Sequence, residues 1–203
     1  KQLAMNLDRL HDAILLPKDR EVKTLVAFVI HYIEHVPDFL LAMSKLTQEA
    51  GISNYSDVFL DIARNYFLEP PACVQQQNHC GLLGLLDEAY LAHRFMEEVN
   101  DRFISLLGIP LAPMDMVRAN IVVHDLIGEP FANELDQAVH FSLEKLMPKE
   151  PPHKNDKLMA YVKAHKDLGW SSELSRWPCL AEDLSVGLNF GKLEITEFSH
   201  VLH

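Results

Sequence analysis

Eleven histidines stand out in this 203-residue chain, and two of them fall where side chains can do chemistry. Projected at the helical period, His93 and His124 lie near the middle of the apolar stripes of two successive helices. Asn100 and Asn120 share those stripes, Asp125 follows His124 directly, and Tyr90 and Glu97 flank the stripe that carries His93. Imidazole and carboxylate together suit a divalent ion such as Mn, Fe, Zn or Mg. The plainer reading is two core histidines, each bonded to a main-chain carbonyl or a neighbouring amide.

The segment 93–128 resembles one family. His93 is followed some thirty residues later by Val122-Val123-His124-Asp125-Leu126-Ile127-Gly128, across a Leu106-Leu107-Gly108 turn. That order is similar to the HD-domain metal-dependent phosphohydrolases, which place one histidine on a helix and a His-Asp pair on a later one. The resemblance implies that His93, His124, Asp125 and a later aspartate, for which Asp183 is the candidate, hold a divalent metal. The metal would activate water against a phosphate ester, with Glu97 and Tyr90 supporting the ligands from behind.

Other constellations are weaker. His31 and His35 share a helix face with Glu34 between them, a spacing that suits zinc and also suits a solvated surface. They become interesting if Phe28, Tyr32 and Phe39 pack and bury that helix on both sides. Glu-x-x-His occurs only as Glu150–His153 and Glu197–His200, neither on a long helix, which argues against a ferritin-like di-iron site. No Gly-x-Ser-x-Gly elbow, Walker A loop or Gly-x-Gly-x-x-Gly is present. The acidic pairs Asp87–Glu88 and Glu97–Glu98 read as helix surface.

The elements that must position these residues are helical throughout. Glycine is scarce, and apolar residues recur at three and four. Helices are expected over 1–16, 19–50 (kinked or split by Pro37), 55–67 behind a Ser53 or Asn54 cap, and 82–107. A further helix should open at Pro113 and Asp115 and run to 146, disturbed at Gly128 and Pro130. Asn155 should cap a helix over 156–168 that Gly169 stops. Segment 148–156 reads as a linker, and 171–203 as short pieces with 188–196 a candidate extended stretch. The expectation is an all-α fold, a bundle of about seven mostly antiparallel helices in one domain. Segment 149–203, with Trp170, Trp177, Phe190, Phe198 and Leu202, would cap it or offer a surface to a second copy.

The net charge of −11, with no Lys/Arg cluster, argues against nucleic acid and against an anionic membrane surface. The most apolar run, 24–30, is far shorter than a membrane span, and the first turns lack the apolar core of a signal peptide. Cys73, Cys80 and Cys179 have no CxxC spacing and read as reduced thiols of a cytoplasmic protein. The functional expectation is an inward-facing His/carboxylate cluster acting on a phosphate ester or other small molecule. The alternative is a non-enzymatic bundle that binds a partner helix or holds an apolar ligand.

Overall fold

In a computed structural model, the described residues are 10, 12–69, 82–146, 155–171 and 173–189. They form seven α-helices: α1 Glu21–Glu49, α2 Ser53–Leu68, α3 Leu82–Leu107, α4 Val117–Ile127, α5 Phe131–Lys145, α6 Asp156–Leu168 and α7 Leu180–Asp183. The chain is the all-α bundle its periodicity predicts. A 3₁₀ turn spans Leu174–Arg176, and a two-residue antiparallel ladder joins β1 Ile14–Leu15 to β2 Gly187–Leu188.

Helix α3 is the axis of the fold, packed by α1, α2, α4 and α5. Those neighbours bury most of its central turns, from Ala89 to Ala92 and on through Phe95, Met96 and Val99, leaving Arg94, Glu97 and Glu98 on one partly open side. That geometry has a cost for polar residues, since any that α3 carries are drawn inside and must find partners. Asp87, His93 and Asn100 are all buried, and Glu97 is largely so. The expectation that Asp87 and Glu97 lie on an exposed helix surface is therefore corrected: Asp87 is buried, and Glu97 lies between packed helices with little of it reaching solvent.

Asn100 shows how such a residue is satisfied. Its amide donates to the Ala112 carbonyl at 3.0 Å and accepts from the Ala112 N–H at 2.9 Å, fixing the loop between α3 and α4. Asn100→Ala would strand both buried main-chain groups. We expect a loss of about 2 kcal/mol in urea unfolding, with the denaturant slope unchanged.

Several boundaries differ from expectation. Residues 1–9 and 11 of the expected first helix lie outside the described residues, and its end at 14–15 is a strand rather than a helix. The partner strand needs that edge: the Asn189 N–H also donates to the Ala13 carbonyl at 2.7 Å. Helix α1 runs unbroken through Pro37. Buried residues on both sides of the proline, Val29, Ile33 and Val36 before it and Phe39, Met43 and Leu46 after it, hold the two halves in line. By length and composition α1 is also apolar enough to cross a membrane, which counting consecutive apolar residues did not anticipate. Most of its large apolar residues, among them Leu25, Phe28, Val29, Tyr32, Val36 and Phe39, are buried against other parts of the fold, while Val22, Ile30 and Leu41 are exposed.

Helix α2 begins at Ser53 with Ile52 at the cap position and no side-chain cap bond. The helix expected from Pro113 starts only at Val117. Gly128 then ends α4 in a left-handed conformation (φ 83°), and a cis Glu129–Pro130 bond leads into α5, so the expected single helix is two. The break turns α5 back beside α3 and α4, and it is what creates the site below. Asn155 caps α6 as expected, accepting from the Leu158 N–H at 2.8 Å. Residues 148–154 of the expected linker lie outside the described residues, as do residues 70–81 and 190–203. Trp177 is buried with its ring 4.8 Å from that of Phe39, so this part of the C-terminal segment caps the bundle.

Candidate functional site: a polar cleft between α3, α4 and α5

The residues singled out in the sequence are not brought together as one metal centre. His93 is fully buried, and its Nε2 lies 2.8 Å from the Tyr32 carbonyl oxygen, so that nitrogen donates. Its ring packs between Tyr32 at 4.4 Å and Phe39 at 5.5 Å, and Nδ1 has no hydrogen-bond partner. Burial holds the imidazole neutral, its pKa lowered to about 4, with the proximity of His35 acting the same way and the Tyr32 carbonyl opposing.

His124 keeps different company. It is half-buried rather than central to the core, because the break at Gly128 opens α4 toward α5 on that side. Its Nε2 lies 3.1 Å from Asn133 Oδ1 and 3.6 Å from Asp136 Oδ2, and its ring sits 6.2 Å from Tyr90. Asp125 is half-buried beside it on α4, and Asp183 is exposed on α7. Among the described residues, no three His, Cys, Asp or Glu side chains gather into a set able to hold a metal ion.

The structure does bring together a different group. A cleft of about 340 Å³ opens where α3, α4 and α5 meet. Tyr90, Arg94, Glu97 and Asp101 line it from α3, Val117, Asn120, Ile121 and His124 from α4, and Asp136 from α5, so polar groups share the cleft with an aliphatic wall. Arg94 is the hub. Its Nη1 donates to Glu97, its Nη2 to Glu98 at 2.7 Å, and its Nε to Asp136 Oδ1 at 3.1 Å. Tyr90 donates to the same Asp136 oxygen at 3.0 Å. Asn120 donates to Glu97 Oε2 at 2.7 Å and accepts from the buried Tyr32 hydroxyl at 2.6 Å. A continuous chain of hydrogen bonds thus runs from the core at Tyr32 to the cleft wall.

Electrostatics follow from that layout. Burial pushes the Glu97 carboxyl up from its usual range, and Arg94 and Asn120 pull it back only in part. Burial works against the charged Arg94 guanidinium, but Glu97, Glu98 and Asp136 outweigh it and raise its pKa. Burial, then Asp136, raises the Tyr90 phenol, which stays protonated as a donor. His124 faces oxygen acceptors with Nε2, so that nitrogen carries the hydrogen and Nδ1 is the acceptor.

Tyr90, Glu97 and His124 were singled out in the sequence, and Asn120 was noted on the same stripe. Arg94, Asn133 and Asp136 were missed. The spacing of Arg94 to Glu97 and Glu98 is a helical three-and-four pattern that could have flagged the hub. Nothing local marks Asp136, which arrives through the turn at Gly128. The chain matches no family model, no curated protein and no solved structure, so this geometry is what bears on function.

Proposed function

We propose that the α3–α4–α5 cleft binds a small molecule carrying a positively charged amine. The observation that carries this reading is the convergence of Tyr90, Glu97, Asn120, His124 and Asp136 from three helices on one cleft. A volume of about 340 Å³ suits a small ligand. Glu97, Asp101 and Asp136 contribute three carboxylates against one guanidinium, and that guanidinium already directs three N–H groups at carboxylates. A phosphate ester entering alone would meet carboxylates around Arg94. An amine would meet complementary charge, and the chain's net charge of −11 favours its approach. His124 lies at the cleft edge with Nε2 held by Asn133 Oδ1 at 3.1 Å and the Asp136 carboxylate 3.6 Å away.

Thermal unfolding with a panel of alkyl amines, diamines, amino sugars, carboxylates and phosphate esters tests this directly. Amines should raise the midpoint in a concentration-dependent way. Glu97→Gln and Asp136→Asn should each weaken the effect at least tenfold. If only phosphate esters stabilise the protein, and only with added Mn²⁺, the amine reading fails. The metal-dependent phosphohydrolase reading drawn from His124 and Asp125 would take its place.

A further inference from the structure

A second site lies on α1, away from the cleft. His31 and His35 are one helical turn apart, and their rings stack with centroids 5.6 Å apart and planes 24° apart. His31 is exposed, and His35 is half-buried with its ring 5.6 Å from Phe39 in an edge-on contact. Phe28, Tyr32 and Phe39 are buried on the inward side of α1, while His31, Glu34 and Asp38 on its outer side are exposed, so the helix is covered on one side only and the His35 ring rests at the edge of that packed wall. His35 Nδ1 lies 2.7 Å from the His31 carbonyl oxygen. That nitrogen therefore donates, and the lone pair of His35 sits on Nε2. An imidazole anchored through one N–H to a main-chain oxygen is held in the tautomer and orientation that metal ligation requires. Glu34 and Asp38, both exposed on the adjoining turns, add negative charge that attracts a cation.

We propose that His31 and His35 chelate a divalent transition-metal ion of the zinc class, His35 through Nε2, with water completing the coordination. Imidazole suits zinc, copper and nickel and disfavours magnesium and calcium, whose ligands are oxygens. Two protein ligands make an open site whose remaining positions stay available for exchange. The site is independent of the cleft and stands or falls separately from the proposed function.

Calorimetric titration of the full chain with Zn²⁺ tests the proposal, using His31→Gln, His35→Gln and His140→Gln. His140 is exposed on α5 beside Glu144, so its loss controls for general histidine binding at surfaces. Circular dichroism establishes that each variant is folded. The expected result is a zinc-binding event weakened at least tenfold in both His31→Gln and His35→Gln and unchanged in His140→Gln, with Mg²⁺ failing to compete. Equal affinity in the wild type and both α1 variants would overturn the proposal. So would loss in one α1 variant alone, since chelation needs both rings.

Discussion

His93→Leu is expected to leave stability nearly unchanged at pH 8 and to exceed the wild type by about 3 kcal/mol at pH 4. In the unfolded chain this imidazole takes a proton near its ordinary value of 6.5, whereas in the folded chain it does so only near pH 4. Between those values the unfolded state binds a proton that the native state does not. The stability that depends on a neutral His93 is therefore whole above pH 6.5 and drains away as pH falls toward 4. Leucine carries no proton in either state. At high pH the substitution loses one hydrogen bond to the Tyr32 carbonyl and gains relief of the partnerless Nδ1, two opposing effects of about 1 kcal/mol each that nearly cancel. Urea unfolding of both proteins at pH 8, 6, 5 and 4 gives the comparison. Parallel curves across that range would show that His93 is not the buried neutral group the structure describes.

Arg94→Met should be the most damaging single change at the cleft, lowering stability by about 3 kcal/mol in urea unfolding. The cause is the charge left behind more than the bonds removed. Glu97, Glu98 and Asp136 all converge on this guanidinium, and Glu97 is already pushed toward its neutral form by burial. Without Arg94 those carboxylates repel one another in partial seclusion from water. The double variant Arg94→Met/Glu97→Gln should recover part of the loss, because one of the stranded charges is gone. Arg94→Lys should fall between, since an ammonium keeps the charge but cannot fork toward three acceptors. If Arg94→Met and Arg94→Lys are equally mild, the hub is decoration at the surface.

Much of the fold was legible because apolar spacing and chain breakers are local signals. Helix α3 has its expected bounds, Asn155 caps α6, and Gly108, Gly128 and Gly169 mark ends. Elements that depend on distant partners were not legible. Ile14 and Leu15 continue a helical pattern on paper and become a strand because residues 187–188 lie alongside. Pro37 is a breaker by local rules and is overruled by packing on both sides.

The candidate site divides the same way. Periodicity places His93 inward with Tyr90 and Glu97 at the edge of its stripe, and Asn120 on the stripe of His124. It does not report that four helices pack against α3, which is why Glu97 and Asp87 read as surface. Nor does it report that a turn at Gly128 delivers Asp136 to His124 rather than leaving His124 to face His93. Which partner a polar side chain finds is a property of tertiary contact, and one sequence encodes it only indirectly.

The small ladder between Ile14–Leu15 and Gly187–Leu188 has a mechanical consequence. Because Ile14 pairs with Leu188 and Ala13 accepts from Asn189, residues 13 and 189 sit side by side at one end of the ladder. Tension applied through those two residues would peel the pairs apart one after another, as a zip opens, instead of shearing them together.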